Sequence, residues 1–333
     1  MPSTPLISVI LPAYNAENTI TDAMQSILSG SFSELELIVI NDGSTDTTKP
    51  IVESFNDSRV SLIDHPDAGV AAANNEGVRQ AKAPLIARMD ADDIAHPDRL
   101  HLQLEMLERN CLDIVGSRVE IVDHQGASVP SLDRYKQWIN QHISTEDILA
   151  FRFVESPLVH PTTLAKREVW ELGCRQGSFP EDYDLWLRAF EKGYKPAKHR
   201  DVLLTWRDRP SRLTRINESF TPEAFDRCRK EHLLSGPLKG ITEIDFWGVG
   251  RTGKPWIRWL ISEGFKIRHL IDVSRKKIGQ QIHGATVITP EDMPHSTGVP
   301  LLVEVGTKGI RELILQHLNT TGHTAGKDAW FLC

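Results

Sequence analysis

The sequence has few cysteines, no surplus of basic residues and no long hydrophobic run. Its 333 residues include four cysteines, which lie far apart at positions 111, 174, 228 and 333 without metal-ligand spacing. We therefore expect reduced thiols and a cytoplasmic protein rather than a disulfide-linked secreted one. The net charge of −7 argues against a nucleic-acid partner, because such a partner would require a clustered basic surface.

No stretch approaches the roughly 18 apolar residues of a membrane span. The apolar run at residues 6–11 is too short for a signal peptide, and no basic residue precedes it. We expect no membrane span. Peripheral contact with the inner face of a membrane stays open at this point.

Short apolar runs alternate along the chain with segments whose apolar residues recur at helical spacing. This alternation predicts an α/β fold with a mostly parallel sheet flanked by helices. The length suggests about two domains. In the first part of the chain the predicted strands are residues 7–11, 35–40, 60–63 and 84–88, and the predicted helices are residues 18–27, 47–55 and 69–81.

Acidic residues follow the fourth predicted strand, where residues 89–93 read Met-Asp-Ala-Asp-Asp. Carboxylates this close repel one another unless a cation or donated hydrogen bonds offset the charge. A solvated turn is the alternative, since Asp is common in turns. Asp42 and the pair Tyr14 and Asn15 also follow predicted strands, and ligands of open α/β sheets gather at that edge.

Five segments occur in a characteristic order. They are Ser-Val-Ile-Leu-Pro-Ala-Tyr-Asn at 8–15, Leu-Ile-Val-Ile-Asn-Asp-Gly-Ser-Thr-Asp at 37–46, Gly69 with Asn75, the acidic segment 89–93, and Pro-Glu-Asp-Tyr-Asp-Leu-Trp-Leu-Arg at 180–188. Together they resemble the family 2 glycosyltransferases of the GT-A fold. The resemblance implies an inverting hexosyltransferase that moves a sugar from a nucleotide sugar, with UDP favoured, to a hydroxyl of a saccharide or lipid-linked acceptor in polysaccharide or glycoconjugate assembly.

The resemblance also implies roles for individual residues. Asp92 and Asp93 are the candidate ligands of Mn²⁺ or Mg²⁺, and which of the two is the main ligand stays open. The remaining candidates for binding the donor nucleotide are Pro12, Tyr14, Asn15, Asp42, Asn75, Asp90 and again Asp92. Asp42 is the position expected to accept a hydrogen bond from uracil.

The acidic pair Glu181 and Asp182 is the candidate catalytic pair. A sugar hydroxyl needs its proton removed as it attacks, so Asp182 is predicted to be the general base. Glu181 is predicted to orient the acceptor or to substitute for Asp182 as the base. The alternative is that these acids only begin the helix predicted over residues 183–192, where they interact favourably with the helix dipole.

Four further side chains are weaker candidates. His160 is a candidate metal ligand, although a buried histidine of the core is the alternative. Arg207, Arg209 and Arg212 follow a strand predicted over residues 202–206, and one of them is expected to reach the diphosphate. A solvated basic loop is the alternative for at least two of these arginines.

A second α/β pattern begins after residues 236–240, which we interpret as a linker between domains 1–235 and 241–333. Predicted strands at 243–247, 266–271, 286–288 and 301–305 and a helix at 255–263 indicate a small Rossmann-like domain. Gly248, Gly250, Gly253 and Asp272 form the glycine-and-acid pattern of a ligand site. This part looks like the nucleotide-sugar-binding domains of sugar acyltransferases.

The role of that second domain is open between a nucleotide or nucleotide-sugar site, a cofactor site for a separate modification, and a scaffold for oligomerisation. For the whole protein, the alternatives to a glycosyltransferase are a noncatalytic nucleotide-sugar-binding scaffold, a bifunctional protein and an oxidoreductase.

Overall fold

A computed structural model describes residues 4–209, 212–307 and 309–333. The chain divides into two compact units. The first comprises Met1–Ile148 and Pro157–Cys228, and the second comprises Leu149–Ser156 and Arg229–Cys333. The predicted domain bounds stay a prediction, and the helix that precedes the predicted linker ends at Ser235.

The strands of the first unit are β1 (Ile7–Ala13), β2 (Leu35–Asp42), β3 (Val60–His65), β4 (Leu85–Arg88), β5 (Ile94–Ala95), β6 (Ile114–Val122), β7 (Leu164–Lys166) and β8 (Pro196–Arg207). The helices up to residue 235 are α1 (Ile20–Leu28), α2 (Thr48–Glu53), α3 (Val70–Gln80), α4 (Arg99–Arg109), α5 (Asp133–Gln141), α6 (Thr145–Ala150), α7 (Arg167–Trp170), α8 (Glu181–Glu191), α9 (Leu213–Ile216) and α10 (Pro222–Ser235). The second unit contributes β9 (Glu243–Trp247), α11 (Gly253–Ser262), β10 (Lys266–Ile271), β11 (Gln281–Ile282), β12 (Ala285–Ile288), β13 (Leu301–Val303), α12 (Ile310–Thr320) and β14 (Ala329–Phe331).

The first sheet has the strand order β3-β2-β1-β4-β7-β6-β8-β5. Strands β3, β2, β1 and β4 are parallel, whereas β7 is antiparallel to both of its neighbours, β4 and β6. The predicted α/β class with a mostly parallel sheet is confirmed. The carboxyl ends of β1, β2 and β4 therefore meet at one edge of the sheet.

Helices cover this sheet through apolar faces. Helix α1 buries Ile20, Ala23, Met24 and Ile27, which is the helical spacing that predicts it. On α3, a side chain at Gly77 would lie 2.4 Å from the Ile10 side chain of β1, so a glycine permits the close approach of helix and strand.

The second sheet has the order β11-β12-β10-β9-β13-β14. All of its pairs are parallel except β11 with β12. The four predicted strands of this unit are confirmed, and the order of its parallel strands is that of a Rossmann-like sheet.

Candidate active site

The loops that follow β1 and β2 are joined by hydrogen bonds between them. The Asn15 side-chain oxygen accepts from the backbone N–H of Thr45 at 2.8 Å. The Ala16 N–H donates to the Thr48 hydroxyl at 2.7 Å. Asn15 itself has a positive φ of 47°, which Asn tolerates better than most residues. Tyr14 projects beside this junction with its side chain exposed.

Asp42 ends β2 with its side chain buried. Its two carboxylate oxygens accept from the backbone N–H groups of Ala68 at 3.2 Å and Gly69 at 3.0 Å. The His65 Nδ1 lies 2.9 Å from the same carboxylate. Asp42 thus fixes the loop between β3 and α3 at the carboxyl end of β2.

The acidic segment after β4 brings three carboxylates together. Asp90, Asp92 and Asp93 each offer one oxygen, and these oxygens lie within 4.8 Å of one another. Asp93 is completely buried: its Oδ1 accepts from the backbone N–H of Arg207 at 3.0 Å, while its Oδ2 has no hydrogen-bond partner among the described residues. Burial, followed by the charges of Asp92 and Asp90, raises the pKa of Asp93 well above its usual range.

Arginines offset part of this negative charge. Arg88 lies 2.8 Å from Asp90, and Arg209 lies 2.7 Å from Asp92. Arg207 pairs with Asp22 at 3.0 Å. Arg207 and Arg209, two of the three arginines of which one is expected to reach the diphosphate, therefore lie at this edge of the sheet and pair with acids.

Arg212 completes the set. Its guanidinium lies 3.8 Å from Asp90 and stacks 3.9 Å from the centre of the Trp206 ring. Residues 210 and 211 of the same loop lie outside the described residues. The Trp206 ring and the Asp90 carboxylate together hold the Arg212 guanidinium beside the acidic cluster.

Arg99 supports the cluster from beneath. It is buried, donates to the backbone carbonyl of Arg88 at 2.8 Å, and bonds Gln103 at 3.0 Å. Burial lowers the pKa of Arg99 to about 10, while the nearby charge of Asp93 opposes that shift. The end of β4 is therefore anchored by the buried guanidinium of Arg99, the first residue of α4.

The candidate catalytic pair lies in the first turn of α8. Burial and then the Asp182 charge raise the pKa of Glu181 to about 8. Burial also raises the pKa of Asp182 to about 6, although the hydrogen bond from the Tyr183 N–H at 2.7 Å opposes the shift and the charge of Asp90 adds to it. Since Asp90 acts on both residues of the pair, the acidic cluster and the helix start are electrostatically coupled.

The start of α8 is held in place by ion pairs that sequence reasoning missed. Asp184 is fully buried and bonds Arg188 at 2.9 Å and Arg175 at 3.0 Å. Asn75 holds the adjoining segment, since its amide bonds both the N–H and the carbonyl of Cys174, at 2.7 and 2.8 Å. Both polar groups of Asn75 are thus engaged, and its role in donor binding stays a prediction. Pro12 lies buried within β1.

His160 is buried between aromatic rings. Its ring centre lies 5.5 Å from those of Trp170 and Trp186. Burial, together with the nearby Arg88, lowers the pKa of His160 well below its usual range, so the ring is neutral at physiological pH. His160 does not belong to the carboxylate cluster found among the described residues, and its role as a metal ligand stays a prediction.

The glycine pattern of the second unit forms the turn between β9 and α11. Gly248 has a φ of +115°, and a side chain there would lie 2.1 Å from the Glu304 carbonyl oxygen. Gly253 begins α11. Asp272, at the end of β10, accepts from the Val249 N–H at 3.1 Å and pairs with Lys277 at 2.8 Å. These predicted residues therefore lie together, with Gly250 on the same turn.

Comparison with known proteins identifies the family to which this chain belongs. The family described as "Glycosyl transferase family 2" matches residues 8–173. The relative named "Putative glycosyltransferase EpsE", of Bacillus subtilis (strain 168), is 30% identical over 244 residues, which cover 69% of this chain and 84% of EpsE. The chain belongs to glycosyltransferase family 2 and is a glycosyltransferase enzyme, so the noncatalytic alternative is set aside.

Two solved structures are similar in fold over about 70% of this chain. S. aureus TarS 1-349 in complex with UDP-GlcNAc has a TM-score of 0.55 at 19% identity, covering 70% of this chain and 68% of that one. The mannosyltransferase PcManGT of Pyrobaculum calidifontis, in complex with GDP-Man and Mn²⁺, has a TM-score of 0.51 at 21% identity, covering 69% and 62%. Among the residues described by the structure, no helix combines the length and apolar character needed to cross a bilayer.

Proposed function

We propose that this glycosyltransferase is metal-dependent and inverting, and that it moves a hexosyl group from a UDP-sugar to a hydroxyl of a saccharide or lipid-linked acceptor in polysaccharide or glycoconjugate assembly. The observation that carries the proposal is electrostatic: the acidic cluster after β4 acts on the carboxylate of Asp182 at the start of α8. Burial and, to a smaller extent, the charge of Asp90 raise the pKa of Asp182 to about 6. Asp90 belongs to the cluster that also contains the buried carboxylate of Asp93.

The cluster fits a divalent cation. Its donors are all carboxylate oxygens, which Mg²⁺ and Mn²⁺ prefer, and within the described ranges the buried Asp93 Oδ2 accepts no hydrogen bond. Asp92 and Asp93 would hold the ion. When bound, it would stabilise the negative charge that develops on the departing diphosphate. The Mn²⁺ in the PcManGT complex supports a divalent metal.

Asp182 is the proposed general base. Inversion needs a nucleophile on the face of the sugar opposite the leaving group, and the carboxylate of Asp182 would accept the proton of the attacking hydroxyl. Glu181, whose pKa is raised to about 8, is mostly protonated at neutral pH. It can therefore donate a hydrogen bond that orients the acceptor.

Asp42, Pro12, Tyr14 and Asn15 are the proposed contacts of the nucleotide. The carboxylate of Asp42 accepts three bonds within the chain, and a carboxylate has about four acceptor positions, so one is left for the N–H of uracil. The exposed ring of Tyr14 is available for stacking on the base. The UDP-GlcNAc bound by TarS supports a uridine donor.

Arg209 and Arg212 are the proposed contacts of the diphosphate. Each already lies against an acid of the cluster, at 2.7 Å and 3.8 Å. A guanidinium binds carboxylate and phosphate oxygens with the same planar set of N–H donors. Each arginine can therefore release the aspartate and bind a phosphate oxygen as the donor enters.

The test is an assay of donor hydrolysis and transfer with UDP-, GDP- and dTDP-sugars. We expect turnover with UDP-sugars in Mn²⁺ or Mg²⁺ and its loss on chelation with EDTA. Proton NMR of the product should show the anomeric configuration opposite to that of the donor. Turnover that survives chelation would contradict the metal requirement, and a retained configuration would contradict the base assigned to Asp182.

A further inference from the structure

The second unit contains a cavity of about 360 Å³ at the start of α11. Its walls include four basic side chains, Arg251, Lys254, Arg258 and Lys277, and the glycine turn at Val249 and Gly250. A side chain added at Gly250 would meet no atom within 4 Å, so the turn borders open space. This volume lies at the lower end of the range for small-molecule sites.

Three of the four cations have no acidic partner among the residues that the structure describes. Within the described ranges, no carboxylate lies within 4 Å of the charged nitrogens of Arg251, Lys254 or Arg258, which are exposed. Lys277 is paired with Asp272 at 2.8 Å. Four positive charges against this single carboxylate leave an excess of three around the cavity. The cavity wall is therefore positively charged, although the net charge of the whole chain is −7.

The backbone adds to this positive potential. The turn is tight, because a side chain at Gly253 would lie 1.8 Å from the Gly248 carbonyl oxygen. It leads into the ten-residue helix α11, whose first N–H groups and dipole favour an anion. The unpaired side chains and the cavity are independent of that helix start and point to the same kind of ligand.

The acid of the glycine pattern is engaged by other groups of the second unit. In dinucleotide-binding folds this acid receives the ribose hydroxyls. Here Asp272 Oδ2 accepts from the Val249 N–H and pairs with Lys277, and Oδ1 accepts from the Ser274 N–H at 2.8 Å. Asp272 therefore orders the turn and holds Lys277 at the cavity wall.

We propose that this cavity binds a diphosphate-bearing ligand no larger than a nucleoside diphosphate. Three unpaired cations match the charge of a diphosphate, which is two to three negative charges at neutral pH. The proposal is independent of the glycosyltransferase site, because it involves other residues in the other unit and requires no metal.

Isothermal titration of the full-length protein with pyrophosphate, ADP and UDP, and with NADH as a comparison dinucleotide, in EDTA, tests the proposal. Chelation removes the metal that the glycosyltransferase site is proposed to need. We expect saturable binding that weakens roughly a hundredfold or more in the triple variant R251A/K254A/R258A, because three charge-assisted contacts are lost. The variant R275A/K276A, which removes two exposed cations outside the cavity wall, should bind like the wild type.

Three outcomes would overturn the proposal. They are no binding of any of the three ligands, equal affinity in the two variants, and tighter binding of NADH than of ADP and UDP. Because the substituted side chains are exposed, all variants should keep the wild-type melting temperature. If the wild-type protein binds pyrophosphate but shows no glycosyltransferase turnover, the result contradicts the proposed function and leaves this second proposal standing.

Discussion

Asp182 and Asp184 lie two positions apart on α8, and their surroundings give them different chemistry. Asp184 is fully buried between Arg175 and Arg188, so its charge is neutralised by ion pairs. Within the described part of the chain, Asp182 has no cation within 4 Å, and its pKa is raised to about 6. The first carboxylate holds the helix, and the second is free to take a proton.

Replacement of Asp182 by Asn should separate chemistry from binding. Asn keeps the size of the side chain but cannot accept the proton, so we expect transfer to fall by about 10² or more. Binding of the UDP-sugar should be unchanged, since Asp182 is proposed to contact the acceptor. Steady-state transfer and titration of the donor measure the two effects. Transfer at or near the wild-type rate in D182N would remove Asp182 from the role of base.

The pH dependence of transfer follows from the same residue. A general base acts in its ionised form, which is populated above its pKa, so the rate should fall as pH drops through about 6. A bound divalent cation would move this midpoint lower, because positive charge favours the carboxylate. The measurement is kcat/KM across roughly pH 4.5 to 8. A profile that is flat over that range would contradict the assignment.

At the level of single residues, the sequence motifs predicted the acidic side chains well and their partners poorly. Asp90, Asp92 and Asp93 cluster because they are adjacent in the chain. The pairing of Asp92 with Arg209 joins residues 117 positions apart, and no local pattern carries that information. Arg88 was read only as the end of a strand, yet it pairs with Asp90 and acts on His160.

At the scale of secondary structure, the strands of uniformly apolar sequence were predictable. The predicted strand at residues 7–11 is confirmed within β1, all of whose residues are buried. The first half of β8 was missed because Lys198 and His199 interrupt its apolar pattern. Lys198 is nevertheless buried and donates to the backbone carbonyl of Pro157 at 3.0 Å and to that of Ile139, while burial lowers its pKa to about 7.

The turn between β9 and α11 offers a matched pair of substitutions. At Gly248, alanine would combine a φ of +115° with a contact of 2.1 Å to the Glu304 carbonyl oxygen. We expect G248A to lower the free energy of unfolding by about 2 kcal/mol or more. At Gly250 the added methyl group meets nothing within 4 Å, so G250A should change stability little. Denaturant unfolding measures both, and equal midpoints for the two variants would contradict the tight turn.

At the scale of the whole molecule, composition and length predicted two α/β parts. The observed units are not two simple halves of the chain, because Leu149–Ser156 belongs to the second unit. Such an assignment depends on contacts between residues far apart in sequence, and the hydrophobic pattern does not encode them. The family was recognisable because five motifs occur in the right order, which is a property of the chain and not of any one motif.

The central claim is that the carboxylates after β4 hold the metal that binds the donor. Titration of UDP with and without Mn²⁺, on the wild type and on D92N and D93N, tests it most directly. Both substitutions preserve side-chain size and remove one negative charge. We expect Mn²⁺ to strengthen UDP binding to the wild type and to have little effect on either variant. An equal effect of Mn²⁺ on all three proteins would contradict the account.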